Sequence, residues 1–145
     1  MFKLAGLGGT FDHLHEGHKL LITTALNVAE QVVIGLTTDE LLKNKKYASK
    51  LEDYETRKKH LLKYLKKISN LDRVSIVELN DPYGPPAYEK KYEVLVASHE
   101  TYTNAIEINN LRKEKELSPL IIVLIPILKD KNKKISSTDI RKNLK

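Results

Sequence analysis

The sequence predicts an α/β fold, a Rossmann-like three-layer sandwich with a parallel sheet of roughly five strands. Two observations carry this prediction. Short segments that are apolar on both faces alternate along the chain with longer segments of helical spacing. The 145 residues, 41% of them hydrophobic and none of them Cys, suit one domain whose core forms without disulfides. We therefore expect residues 1–145 to form a single domain.

The predicted strands are short and rich in Val, Ile and Leu. They are residues 2–8, 31–36, 73–79, 93–97 and 120–125. The predicted helices are residues 17–30, 52–68, 100–116 and 136–144. The second of these helices places Leu61, Leu62 and Leu65 on one face, as in an amphipathic helix. Residues 81–86 contain three prolines and are predicted to form a loop, and residues 129–134 form a charged loop.

Charge and hydropathy limit the partners. The net charge of +6 comes mainly from lysine, because the chain has only four arginines. Such an excess suits phosphorylated ligands, nucleic acid or an anionic membrane, or is simply a solvated surface. The longest apolar run, residues 120–128, is too short to span a bilayer, and no secretory signal is visible. We expect a cytoplasmic protein that binds neither nucleic acid nor membrane.

The first strand–helix turn, residues 8–18, carries three of the five histidines. In open parallel sheets, ligands bind beyond the carboxyl ends of the strands, and a helix N-terminus there favours phosphate. His15 and His18 are three residues apart, so both lie on one side of the first helical turn. Together with the hydroxyl of Thr10, their imidazoles can converge on one anionic group.

Other motifs fit this turn poorly. A dinucleotide fingerprint needs a glycine where Phe11 stands, and a zincin needs a second histidine where Lys19 stands. A Walker loop is absent. Two alternatives stay open: a metal site formed by His13, His15 and His18, and histidines that only cap the helix.

Two segments at opposite ends of the chain resemble the signatures of the nucleotidyltransferase superfamily. Residues 9–12 (GTFD) followed by residues 15–18 (HEGH) resemble its (T/H)xGH signature. Residues 135–141 (ISSTDIR) resemble its ISSTxxR signature. Members of this superfamily transfer a nucleotidyl group from a nucleoside triphosphate to a phosphate-bearing acceptor and release pyrophosphate. The resemblance covers essentially the whole chain.

The resemblance also implies site roles. His18 would stabilise charge at the α-phosphorus, and Thr10 would orient the acceptor phosphate. Lys46 is the third predicted catalytic residue, favoured over Lys43 and Lys45. The predicted nucleotide-binding residues are Gly9, Thr10, Phe11, His15, Gly17, His18, Glu100, Ser136, Ser137, Thr138 and Arg141. Mg²⁺ is expected to arrive with the triphosphate, with no metal ligand from protein side chains.

Four further segments narrow the resemblance to phosphopantetheine adenylyltransferases of the archaeal and eukaryotic type. They are residues 7–19, 35–39, 81–85 and 96–101, although Ala97 stands where that pattern has valine. This resemblance implies transfer of AMP from ATP to 4′-phosphopantetheine. The alternatives are a cytidylyl-transferring or FAD-forming relative and a non-catalytic nucleotide- or nucleic-acid-binding module. Against nucleic-acid binding, aromatic residues are not interleaved with the basic runs.

The remaining candidates are weaker. Lys43, Asp81 and Tyr83 are predicted to bind the acceptor, Tyr83 through an apolar contact, although residues 81–86 equally suit a rigid turn. Arg57 is interpreted as an exposed charge and His60 as a structural residue. His99 is ambiguous, and residues 129–134 form either a basic lid over the phosphates or a solvated loop.

Overall fold

The computed structural model describes residues 1–43, 50–127, 129–130 and 133–134. The strands are β1 (Phe2–Gly9), β2 (Ala29–Thr37), β3 (Val74–Leu79), β4 (Val94–Ala97), β5 (Ile121–Leu124), β6 (Lys129–Asp130) and β7 (Lys133–Lys134). The helices are α1 (Glu16–Val28), α2 (Asp39–Leu42), α3 (Tyr54–Ile68) and α4 (Tyr102–Glu114). Short 3₁₀ turns lie at Leu71–Arg73 and Pro85–Ala87.

The main sheet confirms the predicted architecture. Its five strands have the order β3-β2-β1-β4-β5, and every neighbouring pair is parallel. The strand order reverses between β1 and β4, since the chain first builds outward through β2 and β3 and then returns to the other side of β1. In such sheets a crevice opens at the carboxyl ends of the two strands that flank the reversal. The end of β1 therefore faces this crevice.

Helices cover both faces of the sheet. On one face, Leu21 and Ile22 of α1 and Leu61 and Leu65 of α3 pack against side chains such as Ile34 of β2. On the other face, Ala105 and Ile108 of α4 pack against Leu95 and Ala97 of β4 and against Tyr92. Strands with apolar side chains on both faces need this double cover, which explains why their sequences do not alternate between apolar and polar residues.

The observed boundaries differ from the predicted ones in small ways. Helix α1 ends at Val28 because Ala29 already pairs with Phe2 in the ladder between β1 and β2. Helix α2 was not expected; it has one turn, and the hydroxyl of Thr38 accepts the backbone N–H of Leu41 at its start. The predicted loop at residues 129–134 contains the two-residue antiparallel strands β6 and β7. The predicted helix at residues 136–144 lies outside the described residues.

Within the described part of the chain, every helix is too short or too polar to cross a bilayer.

Candidate active site

A cavity of about 490 Å³ lies at the carboxyl ends of β1, β2 and β4, where the strand order reverses. Five of the predicted site residues line it: Gly9, Thr10, Phe11, His18 and Glu100. The rest of the wall is largely apolar and comes from the ends of all four strands β1–β4, from α1 and α2, from Pro82 and from the first turns of α4. A concave site with few polar groups on an apolar wall is typical of small-molecule binding.

The turn that leaves β1 has an unusual backbone. Phe11 and His13 both adopt left-handed conformations, with φ angles of 51° and 49°. Such angles are uncommon for residues with a side chain, and in folded proteins they cluster at functional sites. The ring of Phe11 is 1% exposed, and its centroid lies 5.2 Å from that of His18. The strained turn thus brings Thr10 and His18 to the same cavity.

His15 and His18 form the N-terminal cap of α1. The Nδ1 atom of His15 accepts the backbone N–H of Gly17 at 3.0 Å, and the Nδ1 atom of His18 accepts the backbone N–H of His15 at 3.2 Å. An accepting Nδ1 places the proton of a neutral imidazole on Nε2. The two histidines therefore cap the helix, and His18 also lines the cavity, so capping does not exclude its predicted role in binding.

The alternative of a histidine metal site finds no support in the described part of the chain. No group of three or more His, Asp or Glu side chains there could hold a metal ion. The Nδ1 lone pairs of His15 and His18 already accept backbone N–H groups, which removes one ligating atom from each ring.

Gly17 is required by the ring of His15. A Cβ atom at position 17 would lie 2.8 Å from Cε1 of that ring, closer than real Cβ contacts, and 3.1 Å from its Nδ1. The ring is held over the start of the helix by its bond to the Gly17 N–H, so it cannot withdraw without breaking the cap. The ring of His15 thus gives a geometric reason for glycine at position 17, while the predicted nucleotide-binding role of Gly17 stays a prediction.

Burial lowers the pKa of His15 below its ordinary value of 6.5, and this effect outweighs the opposing influence of the carboxylates of Glu100 and Glu16. The imidazole is therefore favoured in its neutral form. Its Nε2 atom is buried and finds no hydrogen-bond partner among the described residues. A buried donor without a partner costs about 1–3 kcal/mol, so this position favours a ligand that accepts a hydrogen bond.

The prediction that Arg57 is an exposed charge is wrong. Its side chain is 0% exposed, and its guanidinium donates to the carbonyl oxygens of Glu52, Thr10 and Thr37 and to the carboxylate of Asp39. These acceptors lie on different segments that only the fold brings together. The arginine can be buried because four of its five N–H donors meet acceptors here.

Glu52 holds the same turn from a second point. Its backbone N–H donates to the fully buried Asp12 carboxylate at 2.7 Å, and its side chain accepts the backbone N–H of His13 at 2.9 Å. The other carboxylate oxygen of Glu52 lies 3.2 Å from Nδ1 of His60. The interpretation of His60 as a structural residue agrees with this contact.

The predicted acceptor residues have partners of their own. Lys43 lies 3.1 Å from Glu40 at the surface. The carboxylate of Asp81 accepts the backbone N–H groups of Tyr83 and Gly84, and the Tyr83 hydroxyl donates to Glu107. Residues 81–84 thus form a tight turn, and its Pro82 is the residue that lines the cavity. Their role in acceptor binding stays a prediction.

Four polar residues of the cavity were missed by the sequence analysis as site residues: Thr37, Ser98, Thr101 and Asn104. Each follows the carboxyl end of a predicted strand or begins the helix after it, so the crevice rule could have found them. The backbone N–H of Ser98 donates to the Thr101 hydroxyl, which shapes the turn into α4. His99 is exposed beside them.

Several predicted site residues lie outside the described part of the chain. They are Lys45, Lys46, Ser136, Ser137, Thr138 and Arg141. Their roles remain predictions.

Comparison with known proteins identifies relatives that match nearly the whole chain. A model of the cytidylyltransferase-like family matches residues 7–143. The phosphopantetheine adenylyltransferase of Pyrococcus abyssi is 44% identical over 144 residues, which cover 99% of this chain and 91% of that protein. The phosphopantetheine adenylyltransferase of Saccharomyces cerevisiae is 39% identical over 150 residues, 99% of this chain and 49% of that one.

Solved structures share the fold. A protein of unknown function from Archaeoglobus fulgidus is 30% identical, with a TM-score of 0.76 over 93% of this chain and 100% of that one. A bifunctional NMN adenylyltransferase/ADP ribose pyrophosphatase from Francisella tularensis is 18% identical, with a TM-score of 0.67. The superposition covers 99% of this chain and 41% of that protein, and it shows a shared fold alone. The chain belongs to the cytidylyltransferase-like family and, within it, to the phosphopantetheine adenylyltransferases.

Proposed function

We propose that this protein transfers AMP from ATP to 4′-phosphopantetheine and releases dephospho-coenzyme A and pyrophosphate. The observation that carries the proposal is the cavity at the β1–β4 crevice, where Thr10 and His18 share one wall. The curated relatives favour this acceptor over those of cytidylyl-transferring or FAD-forming enzymes, since those spanning nearly the whole chain carry the phosphopantetheine adenylyltransferase name.

The chemistry follows from the groups at the turn. A phosphate oxygen of the acceptor attacks the α-phosphorus of ATP, a new P–O bond forms, and the bond to the β-phosphate oxygen breaks. Negative charge builds on the oxygens around the α-phosphorus, so positioned N–H and O–H donors accelerate the step. His18 would donate a hydrogen bond from its Nε2–H to these oxygens, and Thr10 would orient the acceptor phosphate. His15 would donate a hydrogen bond from its buried Nε2–H to the triphosphate.

Other residues would complete the nucleotide site. Gly9, Phe11 and Glu100 line the cavity, and Gly17 leaves space for the His15 ring. Lys46 would bind the reacting phosphates. The segment with Ser136, Ser137, Thr138 and Arg141 would bind the distal phosphates. On the acceptor side we propose Lys43, Asp81 and Tyr83, next to Pro82 in the cavity wall.

Mg²⁺ would arrive with the triphosphate and be held by its phosphate oxygens. When bound, it would neutralise part of the phosphate charge.

The direct test incubates the protein and magnesium with each of the four nucleoside triphosphates and each of three acceptors: 4′-phosphopantetheine, FMN and glycerol 3-phosphate. Pyrophosphate release and the nucleotidylated product are measured. Turnover confined to ATP with 4′-phosphopantetheine is the expected result. Turnover of CTP with glycerol 3-phosphate, or of ATP with FMN, would favour the alternative transferases. Binding of ATP with no turnover on any acceptor would favour a non-catalytic module.

A further inference from the structure

One buried side chain joins the ends of the two central strands of the site. Arg57 donates through Nη1 to the carbonyl oxygens of Thr10 at 2.9 Å and Thr37 at 2.7 Å. Its Nε donates to the Glu52 carbonyl at 2.9 Å, and its Nη2 donates to Asp39 at 2.9 Å. Since the Thr37 hydroxyl also donates to the Gly9 carbonyl at 3.0 Å, the ends of β1 and β2 are bonded to each other and to Arg57.

The segment that Arg57 holds is strained. Left-handed angles at Phe11 and His13 cost about 1–3 kcal/mol each and persist only where the surroundings over-determine them. Three bonds from the start of α3 do so: Arg57 to the Thr10 carbonyl, the Glu52 N–H to Asp12, and the His13 N–H to the Glu52 carboxylate. The turn is therefore clamped at Thr10 just before the strained residues, at Asp12 between them and at His13 itself.

Arg57 does not reach the cavity itself, because its side chain is fully buried behind the wall that Thr10 and Thr37 form. Its influence on a ligand must pass through those residues. The planar guanidinium serves four acceptors in a fixed fork, which the single ammonium of lysine cannot match.

We propose that Arg57 is a positioning residue for nucleotidyl transfer, setting the place of Thr10 at the carboxyl end of β1. This inference rests on the proposed function. A misplacement of about 1 Å in a reacting group can cost about 100-fold in rate, so small shifts of this turn affect catalysis. Ground-state binding of ATP depends on many other contacts and is affected less.

The test compares Arg57→Lys with Arg73→Lys. Arg73 is a matched control, because its guanidinium also donates to three carbonyl oxygens, those of Glu30, Leu26 and Ala29, at the opposite end of the sheet. For Arg57→Lys we expect kcat to fall about 10- to 100-fold. The dissociation constant of ATP, measured by calorimetry, should change less than 3-fold. Arg73→Lys should keep kcat within about 2-fold, although both variants lose thermal stability.

A double-mutant cycle tests whether the effect passes through Thr10. If it does, Arg57→Lys in a Thr10→Val background causes less than a 3-fold further loss of kcat. Losses that multiply fully, or a folded Arg57→Lys protein with wild-type kcat, would overturn the positioning role. If Arg57→Lys does not fold, Asp39→Asn, which weakens the exposed end of the same network, should still lower kcat with ATP binding retained. Unchanged kcat in Asp39→Asn would then count against the proposal.

The outcomes keep the two proposals apart. If the wild-type protein has no transferase activity on any acceptor, the proposed function fails before Arg57 is examined. If the wild type is active and Thr10→Val is impaired, but Arg57→Lys is not, the function stands and only the positioning role is wrong.

Discussion

The imidazole rings of His15 and His18 are stacked, with their centroids 3.8 Å apart and their planes inclined by 23°. Each ring accepts a backbone N–H of the same helix start through Nδ1. Two positive charges at this distance would repel each other, and the burial of His15 opposes its protonation too. Because Nδ1 of each ring accepts a backbone N–H, Nε2 is the nitrogen of each ring that can donate a hydrogen bond to a phosphate oxygen.

His18→Ala is expected to lower kcat about 100- to 1,000-fold, the typical value of one donor that stabilises transition-state charge. The fold should survive, because the core packing of α1 depends on its apolar face. The measurement is steady-state kinetics with ATP and 4′-phosphopantetheine, beside circular dichroism. His60→Gln, which replaces a half-exposed histidine on α3, is the control and should retain wild-type kcat. Full activity in His18→Ala would remove His18 from the mechanism.

Gly17→Ala tests the contact between this glycine and the ring of His15. The added methyl group would lie within 2.8 Å of the ring, so the ring must move and the bond from the Gly17 N–H is lost. We expect kcat/KM for ATP to fall at least 10-fold. Thermal stability should change little, because alanine is about 1 kcal/mol better than glycine in a helix and offsets the lost cap. A variant with unchanged kcat/KM would show that the ring position is unimportant.

The pH dependence of stability follows from His15. Burial lowers the pKa of His15 in the folded state below its ordinary value of 6.5, which applies to the unfolded chain. Between the folded pKa and 6.5, the unfolded chain binds a proton more readily than the folded protein. Stability therefore rises with pH across this interval and falls as the pH drops below about 6.5. Urea unfolding between about pH 5 and pH 8 measures this slope. His15→Asn keeps a side chain suited to capping and should flatten the slope; an equal slope in both proteins would contradict the assignment.

Two lysines that follow α2 in the sequence should behave differently. Lys43 is paired with Glu40 at the surface, so we expect Lys43→Ala to change kcat by no more than about 3-fold, with any effect on the KM of the acceptor. Lys46→Ala should lower kcat about 10- to 100-fold if its ammonium binds the reacting phosphates. Kinetics of both variants with saturating ATP decide between them. If kcat falls strongly in Lys43→Ala and is unchanged in Lys46→Ala, then Lys43, and not Lys46, binds the reacting phosphates.

Local patterns determined much of this protein. Segments apolar on both faces predicted the five parallel strands, since period and burial are properties of neighbouring residues. Glycine and histidine spacing at residues 8–18 identified the turn that lines the cavity, because a helix start after a strand favours phosphate. Residues 135–141 resemble a second phosphate-binding signature. Their role in binding phosphate stays a prediction, because these residues lie outside the described part of the chain.

Tertiary structure decided what spacing along the chain could not. The acceptors of Arg57 at Thr10 and Thr37 lie 47 and 20 residues away in sequence, so a charged residue on a lysine-rich helix gave no sign of its burial. His15 and His18 have a double role, as helix caps and as candidate hydrogen-bond donors to phosphate. This double role likewise emerges only from the positions of backbone N–H groups. Sequence alone determined which chemical groups are available and which segments form strands or helices, because residue types and the local spacing of apolar residues are properties of the sequence itself. The fold decided which of them meet, because hydrogen bonds between distant segments depend on how the strands are ordered in space.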